Sequence, residues 1–256
     1  MHARGDQSNF RYSYSTQPLR TTKREFNKID KDFKIRIRIM KVLNLYACLG
    51  GNRYKWTDCD VTAVELDPEL ARLYQERFPN DTVIIADAHQ YLLDHYKEFD
   101  FIWSSPPCPS HSRARYWNSS NYDTTTEAIY PDMKLYEEIL FLQHYFKTGK
   151  YVVENVIPYY EPLIPAQKRG RHLYWCNFNL PKELSNRGNK LKEEYTNSES
   201  LSHYNKFHDY DFTKYRGKQL VLKIARNLVD YEAGLTIFNT ARNIITQPKT
   251  LQPKLF

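Results

Sequence analysis

Apolar and polar positions follow a strand–helix rhythm that begins at Lys41. Lys41-Val42-Leu43-Asn44-Leu45-Tyr46 reads as a buried strand and runs into Ala47-Cys48-Leu49-Gly50-Gly51, a turn with two glycines. Val61 to Leu66 is a second strand. Asp67-Pro68-Glu69-Leu70 then opens a helix, with Asp67 as N-cap and Pro68 at the first helical position. Thr82 to Ala86 is a third strand that ends at Asp87. A helix over Ala88–Lys97 leads to an apolar run, Phe99-Asp100-Phe101-Ile102-Trp103. The spacing predicts a helix over 132–147 and a strand over Lys150–Glu154. Repeated βαβ units of this kind imply a parallel sheet with helices on both faces. From about Asn177 to Lys218 the chain turns polar and loses β-branched runs, which suggests an insertion or small second lobe. Gln219 to Ile224 returns to apolar character, and a helix is expected near Tyr231–Arg242.

Composition narrows this picture. A chain of 256 residues with 41% hydrophobic residues can bury one large core, with or without a small lobe. It contains no apolar run of about 18 residues, so no membrane span is expected. No apolar stretch follows the first residues, so no secretory signal is expected. The four cysteines form no C-x-x-C pair, which argues against a zinc site or a disulfide framework. No metal is expected. A reducing, cytoplasmic compartment fits the thiols. The net charge of +7 is concentrated in residues 1–39, where ten Lys/Arg face four acids. Such an arm can hold nucleic-acid phosphates by counterion release. The plainer expectation is a disordered leader before a natural start at Met40.

Candidate chemistry sits at strand ends. Cys108 lies in Ser104-Ser105-Pro106-Pro107-Cys108-Pro109-Ser110-His111, where three prolines restrict the backbone around one thiol. Forty-six residues on, Tyr151-Val152-Val153-Glu154-Asn155-Val156 brings a carboxylate to the end of another strand. A fixed nucleophile and an acid at two strand ends outline a covalent enzyme. The glycine turn lets a ligand approach the backbone. Glu65, nineteen residues after Tyr46, suits ribose hydroxyls, and Asp87 suits an adenine amino group. There is neither a full G-x-G-x-x-G nor a lysine-bearing phosphate loop, so an adenosine cofactor without phosphates fits best. That points to S-adenosyl-L-methionine.

Taken in order, these segments resemble the cytosine carbon-5 DNA methyltransferases. Leu45-Tyr46-Ala47-Cys48-Leu49-Gly50-Gly51 is similar to the family's first motif, and Glu65 and Asp87 fall where its ribose and adenine acids belong. Pro106-Pro107-Cys108 resembles the nucleophile motif and Glu154-Asn155-Val156 the E-N-V motif. Gln167-Lys168-Arg169-Gly170-Arg171 resembles Q-x-R-x-R, and Arg226-Asn227-Leu228-Val229 is a weaker match to the last motif. Cys48 stands for a usual glycine, Tyr46 for phenylalanine, and Pro109 and His111 for glutamine and phenylalanine. The resemblance implies an α/β, Rossmann-like S-adenosylmethionine-dependent methyltransferase fold with a small recognition lobe. It divides the chain into a leader 1–39, a catalytic and cofactor-binding domain 40–175, a target-recognition lobe 176–218 and a return to the catalytic domain over 219–256. Compact forms of this kind look like those of bacteriophages, mobile elements or restriction–modification systems.

The resemblance implies methylation of cytosine carbon-5 in DNA through a cysteine adduct at carbon-6. Its catalytic residues would be Cys108, Glu154, Arg169 and Arg171. Cofactor contacts would come from Tyr46, Ala47, Gly50, Gly51, Glu65, Leu66, Asp87, Ala88, Pro107 and Asn227. Cys108 would attack a base flipped out of duplex DNA. Glu154 would serve nitrogen 3, and the two arginines the carbon-2 carbonyl and a phosphate. Tyr116 and Trp117 could cover the pocket. A monomer acting on DNA is expected, with no membrane partner. Two alternatives remain: methylation of RNA by the same site, and a catalytically weak DNA-binding relative.

Overall fold

The computed structural model describes residues 39–112, 130–187 and 196–244. Residues 1–38 of the leader, Tyr116, Trp117 and parts of the 176–218 and 219–256 segments lie outside the described residues. Strands β1 (Met40–Leu45), β2 (Cys59–Glu65), β3 (Thr82–Ile85), β4 (Phe101–Ser104) and β5 (Lys150–Val156) pair in parallel in the order β3-β2-β1-β4-β5. Helices α1 (Pro68–Arg77), α2 (Ala88–His95) and α3 (Lys134–Tyr145) connect or follow them. Asp67 caps α1 as expected, accepting from the amides of Glu69 and Leu70, with Pro68 at the first position. The helix expected to reach Lys97 ends as α-helix at His95 and tightens into a 3₁₀ turn, Tyr96–Glu98.

The sheet is not purely parallel. Strands β6 (Gln167–Arg169) and β7 (His172–Cys176) form an antiparallel hairpin, and β7 pairs antiparallel with β5. Gly170, at φ +56°, opens the two-residue turn, a conformation that favours glycine. The result is a seven-stranded, mixed, Rossmann-like sheet ordered β3-β2-β1-β4-β5-β7-β6.

Alternate residues of the strands feed two cores. Leu43, Leu45, Ile102 and Val153 pack with Leu92 of α2 and Leu135, Ile139 and Leu142 of α3. Val42, Phe101, Trp103 and Val152 face the other way, against Ile237 and Phe238 of α6 (Tyr231–Ala241). Continuous apolar runs thus reflect burial on both faces. Helix α6 closes on the turn that follows β1. Trp56 stacks on Phe238 and donates its indole N–H to the Gly234 carbonyl (3.0 Å), and a Cβ at Gly234 would meet the Asn52 carbonyl oxygen at 2.3 Å.

The described part of the polar segment holds α4 (Asn197–His208), capped by a reciprocal Thr196–Glu199 box, and a 3₁₀ turn, Phe212–Lys214. Their apolar side chains are not idle. Tyr204, Phe212 and Tyr215 share a core with Leu49, with Leu70 and Leu73 of α1, and with Ile224 and Leu228. The expected apolar return is helix α5 (Val221–Asn227).

His208 is buried in this third core (1% exposed) among the rings of Tyr204, Phe207 and Phe212. Burial first, then the Arg187 and Arg77 charges, pushes its pKa down to about 3. The folded state binds fewer protons here than the unfolded chain between that value and the unfolded histidine range. Stability therefore rises with pH through this window and falls as the medium is acidified, by on the order of 4 kcal/mol in full. Urea midpoints measured from pH 4 to 7 should show a steeper slope for the native chain than for His208→Leu. Equal slopes would remove His208 as the cause.

Candidate active site

Five parallel strands end at one edge of the sheet, and the candidate residues lie there. At the end of β1, Tyr46 and Cys48 take positive φ (55° and 48°), as does Gly50 (66°). A Cβ at Gly50 would strike the Phe78 and Tyr74 rings, and one at Gly51 would meet the Val229 carbonyl oxygen at 2.4 Å and Leu228 at 2.5 Å. Gly51 is thus the point where the β1 turn meets the segment after Asn227, which is itself exposed at the end of α5. Ala47 is buried, its amide bound to Val64 and its carbonyl to Gly50.

Glu65 ends β2. Its Oε2 accepts from the Cys48 amide (2.8 Å) and its Oε1 from the Asp67 amide (2.9 Å). Burial pushes its pKa up against those hydrogen bonds. A carboxylate has about four acceptor positions, so both oxygens keep capacity for hydroxyl donors. Burial and the Glu65 charge push the neighbouring Cys48 thiol up to about 12, which leaves it inert at neutrality. Asp87 caps α2 by accepting from the Gln90 amide (2.9 Å), a bond that lowers its pKa. Ala88 follows it, buried as the first residue of α2. Leu66 and Ile85, at the ends of neighbouring strands, are large apolar residues left 67% and 58% exposed. Ile85 escaped the sequence reading because its run looks like ordinary core.

The Cys108 loop follows β4 and is tied to β5 and its continuation. Asn155 donates to the Pro106 carbonyl (2.9 Å), and the Tyr159 amide donates to the His111 carbonyl (3.1 Å). Ser112 bridges to Pro158, and His111 Nδ1 meets the Tyr160 hydroxyl at 2.6 Å. The Cys108 carbonyl accepts from the amides of His111 and Ser112, which curls the loop after Cys108. Pro107 is exposed and Cys108 half-buried. Burial and the charge of Glu154 push the Cys108 thiol up, while the Lys223 ammonium pulls it down. Glu154 is buried in β5 at 7% exposure, with His172 Nε2 3.5 Å from its Oε1. Cys108 and Glu154 are therefore electrostatic neighbours.

The Q-x-R-x-R segment divides. Gln167 binds the Phe178 carbonyl and the Leu180 amide, each at 2.8 Å. Arg169 donates to the carbonyls of Pro181 (2.5 Å), Leu180 (2.8 Å) and Lys168 (2.8 Å). Arg169, expected with Arg171 to serve the carbon-2 carbonyl and a phosphate, has its guanidinium on main-chain carbonyls of the chain that follows β7. Arg171 sits exposed in the hairpin turn, beside His172.

Glu138, absent from the sequence reading, is fully buried under this edge. It accepts from the Tyr46 hydroxyl (2.6 Å) and the Ser104 hydroxyl (2.6 Å), and His89 Nδ1 lies 3.2 Å away. It joins the ends of β1 and β4, and it raises the His89 pKa. The signal was a carboxylate inside the Leu135, Ile139, Leu142 stripe of α3. Among the described residues, no cluster of three or more His, Cys, Asp or Glu could hold a metal, and no helix is long and apolar enough to cross a membrane.

Residues 40–156 match the family of C-5 cytosine-specific DNA methylases. Among solved structures, the chain is similar to a hypothetical protein of Thermus thermophilus, at 18% identity over 68% of this chain and 93% of that one, with a TM-score of 0.35. It is also similar to Spodoptera frugiperda DNMT2, at 24% identity over 46% of this chain and 35% of that one, with a TM-score of 0.33. A putative DNA modification methyltransferase encoded within an E. coli prophage is 15% identical over 48% of this chain and 33% of that one, with a TM-score of 0.30. The chain thus spans about a third of each of the last two proteins. No curated protein sequence matches it.

Proposed function

From a chain whose residues 40–156 match the C-5 cytosine-specific DNA methylases, we propose S-adenosylmethionine-dependent methylation of cytosine carbon-5 in DNA. The observation that carries the reading is the Cys108 loop, fastened by Asn155 to the strand that presents Glu154. Glu65 and Asp87 offer acceptors for ribose and adenine, Leu66 an exposed apolar surface, and the Gly50-Gly51 turn and Asn227 the flanking backbone and side chain. These acceptors and the apolar surface fit the cofactor, which supplies an electrophilic methyl group when bound. Tyr46, Ala47, Ala88 and Pro107 complete its surroundings.

Carbon-5 of cytosine is a weak nucleophile until carbon-6 is saturated. The Cys108 thiolate adds to carbon-6 of the flipped-out base, and Glu154 gives a proton to nitrogen 3 as charge builds there. Arg171, exposed at the hairpin, serves the carbon-2 oxygen or a phosphate. Carbon-5, now nucleophilic, takes the methyl group, and loss of its proton to water then expels Cys108 as thiolate.

Incubation of the protein with methyl-labelled S-adenosylmethionine and duplex DNA or transfer RNA tests the proposal. Label in 5-methylcytosine of DNA is expected. Label in transfer RNA alone moves the same chemistry to RNA, and no label in either, with DNA binding retained, leaves a binding relative. The segment expected to read a target, 176–218, is about forty residues long, and several of its described residues are committed to the core over α1. Bisulfite sequencing of DNA from expressing cells should therefore reveal a short or relaxed site. Six or more fixed bases would refute that expectation.

A further inference from the structure

The Glu154 carboxylate acts on the Cys108 thiol and also lies against His172. In the β5–β7 register Glu154 lies opposite Tyr174 and Val156 opposite His172, so Glu154 and His172 are diagonal neighbours on one face. The imidazole Nε2 is 3.5 Å from Oε1, and the ring is partly open to solvent. A bare carboxylate here works against the reaction twice. It disfavours the Cys108 thiolate, and it has no proton for nitrogen 3. We propose that His172 is a positioning residue that keeps one proton on the His172–Glu154 pair, so that the sulfur faces a neutral pair and nitrogen 3 an acid. This deepens the methyltransfer reading and rests on it.

The proton and electron balance closes. Cys108 enters as thiolate, its proton already given to water. The S–C6 bond forms, the C5=C6 pair becomes C4=C5, and the C4=N3 pair moves to N3. N3 takes the pair's proton through Glu154, which leaves neutral His172 beside a carboxylate. The C4=C5 pair then forms the C5–CH3 bond, the S–CH3 pair leaving with the donor sulfur, and C4=N3 is restored. The C5–H pair becomes C5=C6 as that proton passes to water, Cys108 leaves with the S–C6 pair, and the N3 proton returns the same way. The other groups around the pair are Tyr174 on β7, Arg169 across β6, Arg171 in the turn and Cys108 on the β4 loop, and Lys223 on α5 acts on Cys108. Asp230 acts on Tyr174. Arg169 is bound to main-chain carbonyls, and among these groups His172 lies against Glu154 as an exchangeable proton carrier.

The test follows alkylation of Cys108 by iodoacetamide, mapped by peptide mass, near pH 6 where imidazoles carry a proton. His172→Leu should slow it about three- to tenfold, the effect of up to about one pKa unit on the thiol. His172→Lys, which restores a cation, should recover the rate. In a Glu154→Gln background the His172→Leu effect should vanish. Methyl transfer by His172→Leu should lose about ten- to a hundredfold in kcat with the KM for S-adenosylmethionine unchanged. An unchanged alkylation rate in His172→Leu, or an equal slowing in the Glu154→Gln background, overturns the proposal. If the native protein methylates no nucleic acid while the alkylation pattern holds, the functional reading fails and the charge relation between His172, Glu154 and Cys108 stands.

Discussion

Cys108→Ser is expected to lose methyl transfer by at least about ten-thousandfold while binding S-adenosylmethionine as the native protein does. The size follows from the chemistry. A serine hydroxyl is almost wholly protonated at neutral pH and a weak nucleophile, and removing a covalent nucleophile leaves only binding and electrostatic contributions. Cofactor binding should survive because Glu65, Asp87 and the glycine turn end other strands. The loop should also survive. Its fastenings run through the Asn155 side chain and through the carbonyls of Pro106, Cys108 and His111, none of which needs the sulfur. Labelled methyl transfer and calorimetric titration of the cofactor, on the same preparation, check both halves. A fully active Cys108→Ser variant would dismiss this residue as the nucleophile.

Glu154→Gln should slow methyl transfer by about a hundred- to a thousandfold, the usual range for a positioned proton donor. The amide keeps the shape and can donate a hydrogen bond, but it cannot hand over a proton. In a His172→Leu background the same change should accelerate alkylation of Cys108, because the unpaired carboxylate charge that pushes the thiol up is gone. Slower catalysis with a more reactive sulfur distinguishes a proton donor from a residue that merely shapes the pocket, whose loss would depress both. Parallel losses in the two assays would reject the assignment.

Most of the parallel sheet was legible because its strands are short apolar runs between capped helices. Asp67-Pro68 announces α1 by local rules alone, and the α1 start lies where the cap puts it. The β6–β7 hairpin was not legible. Gln167–Arg169 is polar and only three residues long, and its antiparallel direction depends on the Gly170 turn and on β5 already being in place. The strand ends carrying Glu65, Asp87, Cys108 and Glu154 follow from sequence because a parallel sheet brings every strand terminus to one edge. Side-chain aim does not. Arg169 and Arg171 are equivalent in a motif, yet one is bound by main-chain carbonyls and the other is exposed. Glu138 and His172 acquire significance only through partners 92 and 34 positions away (Tyr46 and Ser104), and 18 positions away (Glu154).

Helix α6 seals the β1 turn through Trp56, Gly234 and Asn52, and synthesis runs from the other end. A ribosome must release nearly the whole described chain before that plug can seat. The β1 turn is therefore translated long before the helix that packs on it. Nascent chains that have not reached α6 lack the plug.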